Sequence, residues 1–130
     1  MPVVRHAEGL SLRQLAAAIR DVSDRARRNK PPREELSGST ITVTSLGKLG
    51  GIVSTPVINA PEVAIIGVNK AVERPVVYGG AITIRRMMNL SSSFDHRFVD
   101  GYDAASMIQA LRHLLEHPAT IFMTDEEVAR

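Results

Sequence analysis

The chain has 130 residues, with 44% hydrophobic side chains, 16 basic against 14 acidic ones, and no cysteine. That length supports one hydrophobic core and not two domains of ordinary size. A mean hydropathy near zero and the lack of a long apolar run argue against a membrane span, and without cysteine there is no disulfide framework, thiolate metal site or thiol nucleophile. The sequence pI of about 9.4 reflects a formal charge of only +2, so nucleic acid is not indicated. The densest basic stretch, Arg25, Arg27, Arg28, Lys30 and Arg33, falls at an expected helix C-terminus and has no interleaved aromatics. Residues 1–11 carry neither a secretory nor a transit pattern, which fits a cytoplasmic protein, or a processed one of the mitochondrial matrix if the source is eukaryotic.

In chain order, residues 2–5 read as a short strand, followed by a turn through His6 and Gly9. Ser11 opens a helix by the capping-box spacing to Gln14, and Leu12, Leu15, Ala16, Ile19, Val22 and Ala26 recur on one face. Asn29, Lys30, Pro31 and Pro32 stop it. After a polar connector with room for one helical turn, residues 39–44 alternate β-branched side chains as a strand does. Gly47, Gly50 and Gly51 break regular structure, and the apolar run 63–68 reads as a strand buried on both faces. Residues 72–78 and 81–86 flank Gly79 and Gly80 in the pattern of a hairpin, and a further strand covers 87–94. A last helix runs from about Asp103 to Glu116, with Ala104, Met107, Ile108, Leu111, Leu114 and Leu115 on its apolar face and Pro118 beyond its end, before a short acidic tail. Two amphipathic helices with five or six strands predict an α/β (α+β) sandwich, one domain over 1–130, with the helices on one face of a sheet.

The segment FDHRFVDG, residues 94–101, is the most informative. A histidine between two aspartates at a strand end, followed by glycine and a helix, is a place where an imidazole can be held and presented to a substrate. Other patterns are weaker. His113, Glu116 and His117 spell H-x-x-E-H, but a catalytic zinc needs three protein ligands and only thirteen residues remain, so no metal is expected. LGKLGG lacks P-loop spacing and reads as a turn. Met87, Met88 and Met107 read as core filler.

His96, Arg97, Asp100 and Gly101, preceded in order by TVTSLGKLGG (42–51), STPVIN (54–59) and APEVAIIGV (60–68), resemble consecutive blocks of the dihydrolipoamide acyltransferases of 2-oxoacid dehydrogenase complexes. The resemblance runs from about Val3 to Ala119. It implies the C-terminal half of a chloramphenicol-acetyltransferase-like two-layer sandwich, that is, a partial catalytic domain without lipoyl or peripheral-subunit-binding domains. It also implies that His96 is the general base and that the hydroxyl of Thr44, with Ser45 the alternative, stabilises an oxyanion. Asp100, and Asp95 beside the histidine, are read as holding the loop by an ion pair or hydrogen bonds and not as proton acceptors. The co-substrates implied are coenzyme A and a lipoyl group carried on a separate domain. The implied partners are two further copies in a trimer, with His96 of one chain facing Thr44 of the next, a larger hollow core, and the other subunits of the complex.

The family's domain is nearly twice as long as this chain. The alternative to an acyltransferase is therefore a non-catalytic or split-gene assembly piece that needs the other half. A third reading is an acetyltransferase that acts on a free small molecule.

Overall fold

The apolar stripe beginning at Leu12 forms helix α1, Leu12–Arg28, and its start is fixed as the spacing predicts. The Ser11 N–H donates to Gln14 Oε1 at 2.9 Å and the Gln14 N–H donates to Ser11 Oγ at 3.4 Å, so two donors at the helix start are satisfied reciprocally. The computed structural model describes residues 1–28 and 33–123; the expected stop at residues 29–32 and most of the acidic tail lie outside them. Arg25 in the last turn of α1 pairs with Asp21 at 3.2 Å and with Glu35 at 2.9 Å. It thereby ties the 3-10 helix Arg33–Leu36 to α1, and the polar connector does contain a helical turn.

Residues 2–5 do not form the expected strand. Strand formation requires a neighbouring strand, and here the neighbour is the 3-10 helix: the Val3 N–H donates to the Glu35 carbonyl at 3.1 Å and Arg5 Nη2 to the Ser37 carbonyl at 3.2 Å. His6, at φ 52 and ψ 41, then turns the chain into a 3-10 turn at Ala7–Gly9.

Strands β1 (Thr42–Ser45), β2 (Ala64–Val68) and β5 (Leu90–Phe94) form one sheet in the order β1-β2-β5, with β1 parallel and β5 antiparallel to β2. β2 lies in the middle, and the apolar run forms the core: Ala64, Ile65 and Ile66 are buried. Strands β3 (Val72–Tyr78) and β4 (Ala81–Met87) make the expected hairpin as a separate two-stranded sheet. Its turn places Gly79 at φ 57 and Gly80 at φ 81, the left-handed pair that a two-residue turn matched to strand twist requires. The run expected as a strand over 87–94 is interrupted. Met87 ends β4, Asn89 accepts at its carbonyl from the Asn69 N–H at 3.2 Å and Asn69 Nδ2 at 3.0 Å, and β5 starts at Leu90.

Helix α2, Gly101–Glu116, faces this sheet across two open clefts. One, of about 400 Å³, opens between Asp103 and Met107 of α2 and Ile41, Ala64 and Phe94. The other, of about 730 Å³, opens between Ile108 and Leu115 of α2 and Met87, Met88 and Leu90. The three methionines expected in the core line these clefts, and Met87, Met88 and Met107 are 40%, 42% and 40% exposed. No described residue fills these clefts, so the three side chains stay partly open to solvent. The same holds for one face of the hairpin, where the cross-strand pair Val77 and Ile82 and the neighbouring Ile84 are all exposed. α1 buries no residue.

Candidate functional site

His96 follows β5 at one end of the sheet. Asp95 anchors this point: its N–H donates to the Val63 carbonyl at 2.8 Å, prolonging the β2–β5 pairing, and its carbonyl accepts from the N–H groups of Phe98 at 3.0 Å and Val99 at 3.1 Å. Its carboxylate accepts from the Arg97 N–H at 3.1 Å, from Arg97 Nε at 2.9 Å and from Arg97 Nη2 at 2.5 Å. Hydrogen bonds from the Arg97 side chain and backbone hold the Asp95 carboxyl down at about 2. His96 itself is exposed.

Asp100 stands four residues after His96, at the start of α2. It is the N-cap of α2, its Oδ1 accepting from the Asp103 N–H at 2.8 Å. This explains why α2 begins at Gly101, two residues before the expected start: a capping carboxylate satisfies a free N–H of the first turn and complements the positive end of the helix.

Thr44 lies on β1, half-buried, in register with Gly67 on β2, which is in turn in register with Ser91 on β5. Ser45 differs in two ways. It projects to the opposite face by strand alternation, and its Oγ accepts from the Gly47 N–H at 3.1 Å, closing the turn after β1. Its hydroxyl oxygen is engaged in that local turn.

The chain does not bring His96 and Thr44 together. Thr44 is level with Ser91, and Asp95 is four residues farther along β5, about 13 Å at strand spacing, with β2 intervening laterally. The two side chains cannot meet one carbonyl group within a single chain.

Sequence reasoning missed a buried polar cluster beside this end of the sheet. Glu62, 5% exposed, accepts from the hydroxyls of Ser39 and Thr42, the latter at 2.6 Å, and from Asn59 Nδ2 at 3.2 Å. The Ser39 hydrogen bond above all, and then that of Thr42, holds its carboxyl below the ordinary 4.5 against the opposing effect of burial. The available signal was the lone acid between Pro61 and the apolar run that becomes β2.

The pattern His113, Glu116 and His117 resolves into local contacts. The two imidazoles stack with centroids 4.6 Å apart, and Arg112 Nε donates to Glu116 Oε1 at 3.0 Å. Among the described residues no three His, Cys, Asp or Glu side chains gather to hold a metal, and no described helix is long and apolar enough to cross a membrane. LGKLGG forms a 3-10 turn at Gly47–Leu49.

Comparison with known proteins gives consistent results. The family of 2-oxoacid dehydrogenases acyltransferase (catalytic domain) matches residues 1–123. The lipoamide acyltransferase component of the branched-chain alpha-keto acid dehydrogenase complex of Pseudomonas aeruginosa is 65% identical over 95% of this chain. The chain spans 29% of the length of that relative. The dihydrolipoamide acetyltransferase of Azotobacter vinelandii superposes with a TM-score of 0.88 at 43% identity, over 94% of this chain and 50% of that one. The role of a serine, a histidine and an asparagine in that enzyme's catalytic mechanism has been investigated; the serine stands 52 positions before the histidine and the asparagine four after it. The cubic core of a pyruvate dehydrogenase multienzyme complex gives 0.88 at 42% identity, over 94% of this chain and 50% of that one.

Proposed function

Because the chain belongs to the family of 2-oxoacid dehydrogenase acyltransferase catalytic domains, we propose that it moves an acyl group between dihydrolipoamide and CoA, with His96 as base and the Thr44 hydroxyl at the oxyanion. One observation carries the assignment of residues. Thr44 stands 52 positions before His96 and Asp100 four after it, the same spacing as the serine, histidine and asparagine investigated in the Azotobacter enzyme. Threonine keeps the hydroxyl donor of serine. Aspartate keeps an acceptor for the Asp103 N–H, so the third position serves α2 and the loop and does not carry a proton.

The chemistry suits these groups. A CoA thiol is poorly ionised at neutral pH. His96 takes its proton as the sulfur attacks the thioester carbonyl, and the Thr44 hydroxyl donates to the oxyanion that forms. When the intermediate collapses, the bond to the dihydrolipoyl sulfur breaks and the protonated imidazole returns the proton to that sulfur. No covalent acyl-enzyme is involved.

The separation of His96 and Thr44 within one chain supports a site made by two copies, His96 from one and Thr44 from the next. A trimeric unit within a larger core is consistent with the likeness to a cubic core. The acyl group proposed is a branched-chain one, on the strength of 65% identity to a branched-chain component against 43% to an acetyltransferase. The deciding assay measures transfer to CoA from isobutyryl- and from acetyl-dihydrolipoamide. Preference for the acetyl thioester would overturn the acyl assignment, and inactivity of both with an intact assembly would overturn the enzyme.

A second reading is favoured by coverage: the chain matches 50% of each of the two solved chains compared. In it, these residues are an assembly piece that turns over only with the other half of the family domain. Restoration of transfer by adding that half, as the corresponding segment of a relative, separates the two readings.

A further inference from the structure

We infer that Asp95 and Arg97 form a clamp that fixes how His96 is presented, which makes Asp95 a positioning residue for proton transfer; the inference rests on the reading of His96 as the base.

His96 is the residue between the two partners of this ion pair. Asp95 is fixed from both its backbone and its side chain. Its N–H is tied to Val63 beside β2, its carbonyl closes the turn by accepting from Phe98 and Val99, and its carboxylate receives the backbone N–H and the guanidinium of Arg97. The carboxylate is the anchored end, 18% exposed, while the Arg97 side chain is 81% exposed. Arg97 therefore folds back from solvent onto a fixed acceptor. Its planar fork engages both carboxylate oxygens, a geometry that a lysine ammonium cannot reproduce. Among the described residues no hydrogen bond holds the His96 imidazole. The direction of the His96 Cα–Cβ bond, from which the ring departs, is set by its own backbone, which runs from one clamped residue to the other.

An exposed ion pair of this kind contributes little to folding stability. Its consequence is geometric: a catalytic group misplaced by about 1 Å can cost on the order of 10²-fold in rate. The Asp95 carboxylate, held at about 2, stays charged throughout the range in which an imidazole titrates. The clamp therefore adds no limb of its own to the pH profile.

The test compares Asp95→Ala, Asp95→Asn, Arg97→Lys and His96→Ala in the assembly in which the unaltered chain transfers acyl groups. Asp95→Ala is expected to lower kcat by about 10- to 100-fold, with KM for CoA within about twofold and the thermal midpoint little changed. Asp95→Asn keeps an oxygen for the Arg97 N–H and should fall between, as should Arg97→Lys. Hydrogen exchange gives a readout independent of catalysis: the amide of Arg97, which donates to the Asp95 carboxylate, should exchange faster in Asp95→Ala than in the unaltered chain, with the amides of Phe98 and Val99, which donate to the backbone carbonyl that alanine keeps, as the internal reference. Unchanged exchange would overturn the clamp whatever His96 does. Unaltered kcat in Asp95→Ala, with His96→Ala inactive, would overturn the positioning role and leave the base assignment standing. Full activity in His96→Ala would overturn that assignment and with it this inference. Should Asp95→Ala fail to fold, the ranking of Asp95→Asn and Arg97→Lys below the unaltered chain decides the same question.

Discussion

Ser54 Oγ lies 2.8 Å from the position that a Cβ would take on Gly67. Gly67 is the residue of β2 between Thr44 and Ser91, and the approach arises because segment 51–58 crosses this face of the sheet on polar ties. The Ser54 N–H donates to Ser91 Oγ at 3.1 Å, Ser93 Oγ to the Pro56 carbonyl at 2.6 Å, and Asn89 Nδ2 to the Ile52 carbonyl at 3.0 Å. A methyl group at this position would have to displace the Ser54 hydroxyl from the space between the strand and its cover.

Gly67→Ala should therefore destabilise the chain by about 1–3 kcal/mol, the range for overpacking a closed site. The obstructing atom is the end of a side chain, so Gly67→Ala combined with Ser54→Ala should recover most of the loss. Urea unfolding of both single variants and the double variant measures the coupling. Simple additivity would show that the hydroxyl is not what excludes the methyl group.

Glu62 should make stability depend on pH in a defined direction. Its carboxyl titrates below 4.5 in the folded chain, so its stabilisation is complete above that ordinary value and is lost as pH falls through the lower folded value. Glu62→Gln leaves a neutral acceptor for donors that now meet a charge, at a cost of about 1–3 kcal/mol near pH 7. The gap between the two proteins should shrink as the solution is acidified below pH 4.5. A gap that stays constant or widens towards acid would mean that the carboxylate is not the form the cluster stabilises.

The helices and strands with a strong local signal were legible from sequence. The Ser11–Gln14 box, the Gly79–Gly80 turn and the apolar run of β2 each carry their cause within a few residues. The strand expected at 2–5 was misread because its fate depends on a neighbour 32 positions away, and sequence periodicity does not reveal that this neighbour is a 3-10 helix. The methionines were misread for a related reason: an apolar side chain shows a tendency to be buried, not the presence of something to bury it. For the candidate site, the blocks around Thr44 and His96 pointed to the two residues proposed, while their placement at opposite ends of the sheet required the register. Glu62 gave almost no warning, since its three donors come from positions 39, 42 and 59 and meet only in the folded chain.

Replacing His96 by alanine should reduce acyl transfer by about 10²–10⁴, the range for a positioned proton-transfer group. The side chain is exposed and bears no structural load, so the far-ultraviolet dichroism and thermal midpoint should be unchanged. A loss smaller than tenfold in the active assembly would remove His96 from the role of base.

Thr44 and Ser45 separate by substitution. Thr44→Ser keeps the donor and should retain most activity, whereas Thr44→Val should lose about 10²–10³-fold in kcat, as expected for loss of an oxyanion donor. Ser45→Val removes the acceptor of the Gly47 N–H and should act on the turn, with a smaller catalytic loss. A larger effect at Ser45 than at Thr44 would show that the wrong face of β1 has been assigned to the site.

The separation of His96 from Thr44 also makes a prediction about assembly. If each site takes His96 from one copy and Thr44 from its neighbour, His96→Ala and Thr44→Val chains are each inactive alone, but mixed assemblies contain sites in which both residues are intact. Each such site forms where a Thr44→Val chain supplies the histidine and a His96→Ala chain the threonine. Co-assembling the two, in whatever context supports activity of the unaltered chain, should restore a substantial fraction of the rate. If both residues came from one copy, every site would carry one defect and mixing would restore nothing. The exposed apolar surface points the same way: Val77, Ile82 and Ile84 on the hairpin and the open clefts beside α2 are surfaces that associate in water. Light scattering should find trimers or larger species at micromolar concentration. A stable monomer that transfers acyl groups at full rate would contradict both the shared site and the assembly on which it depends.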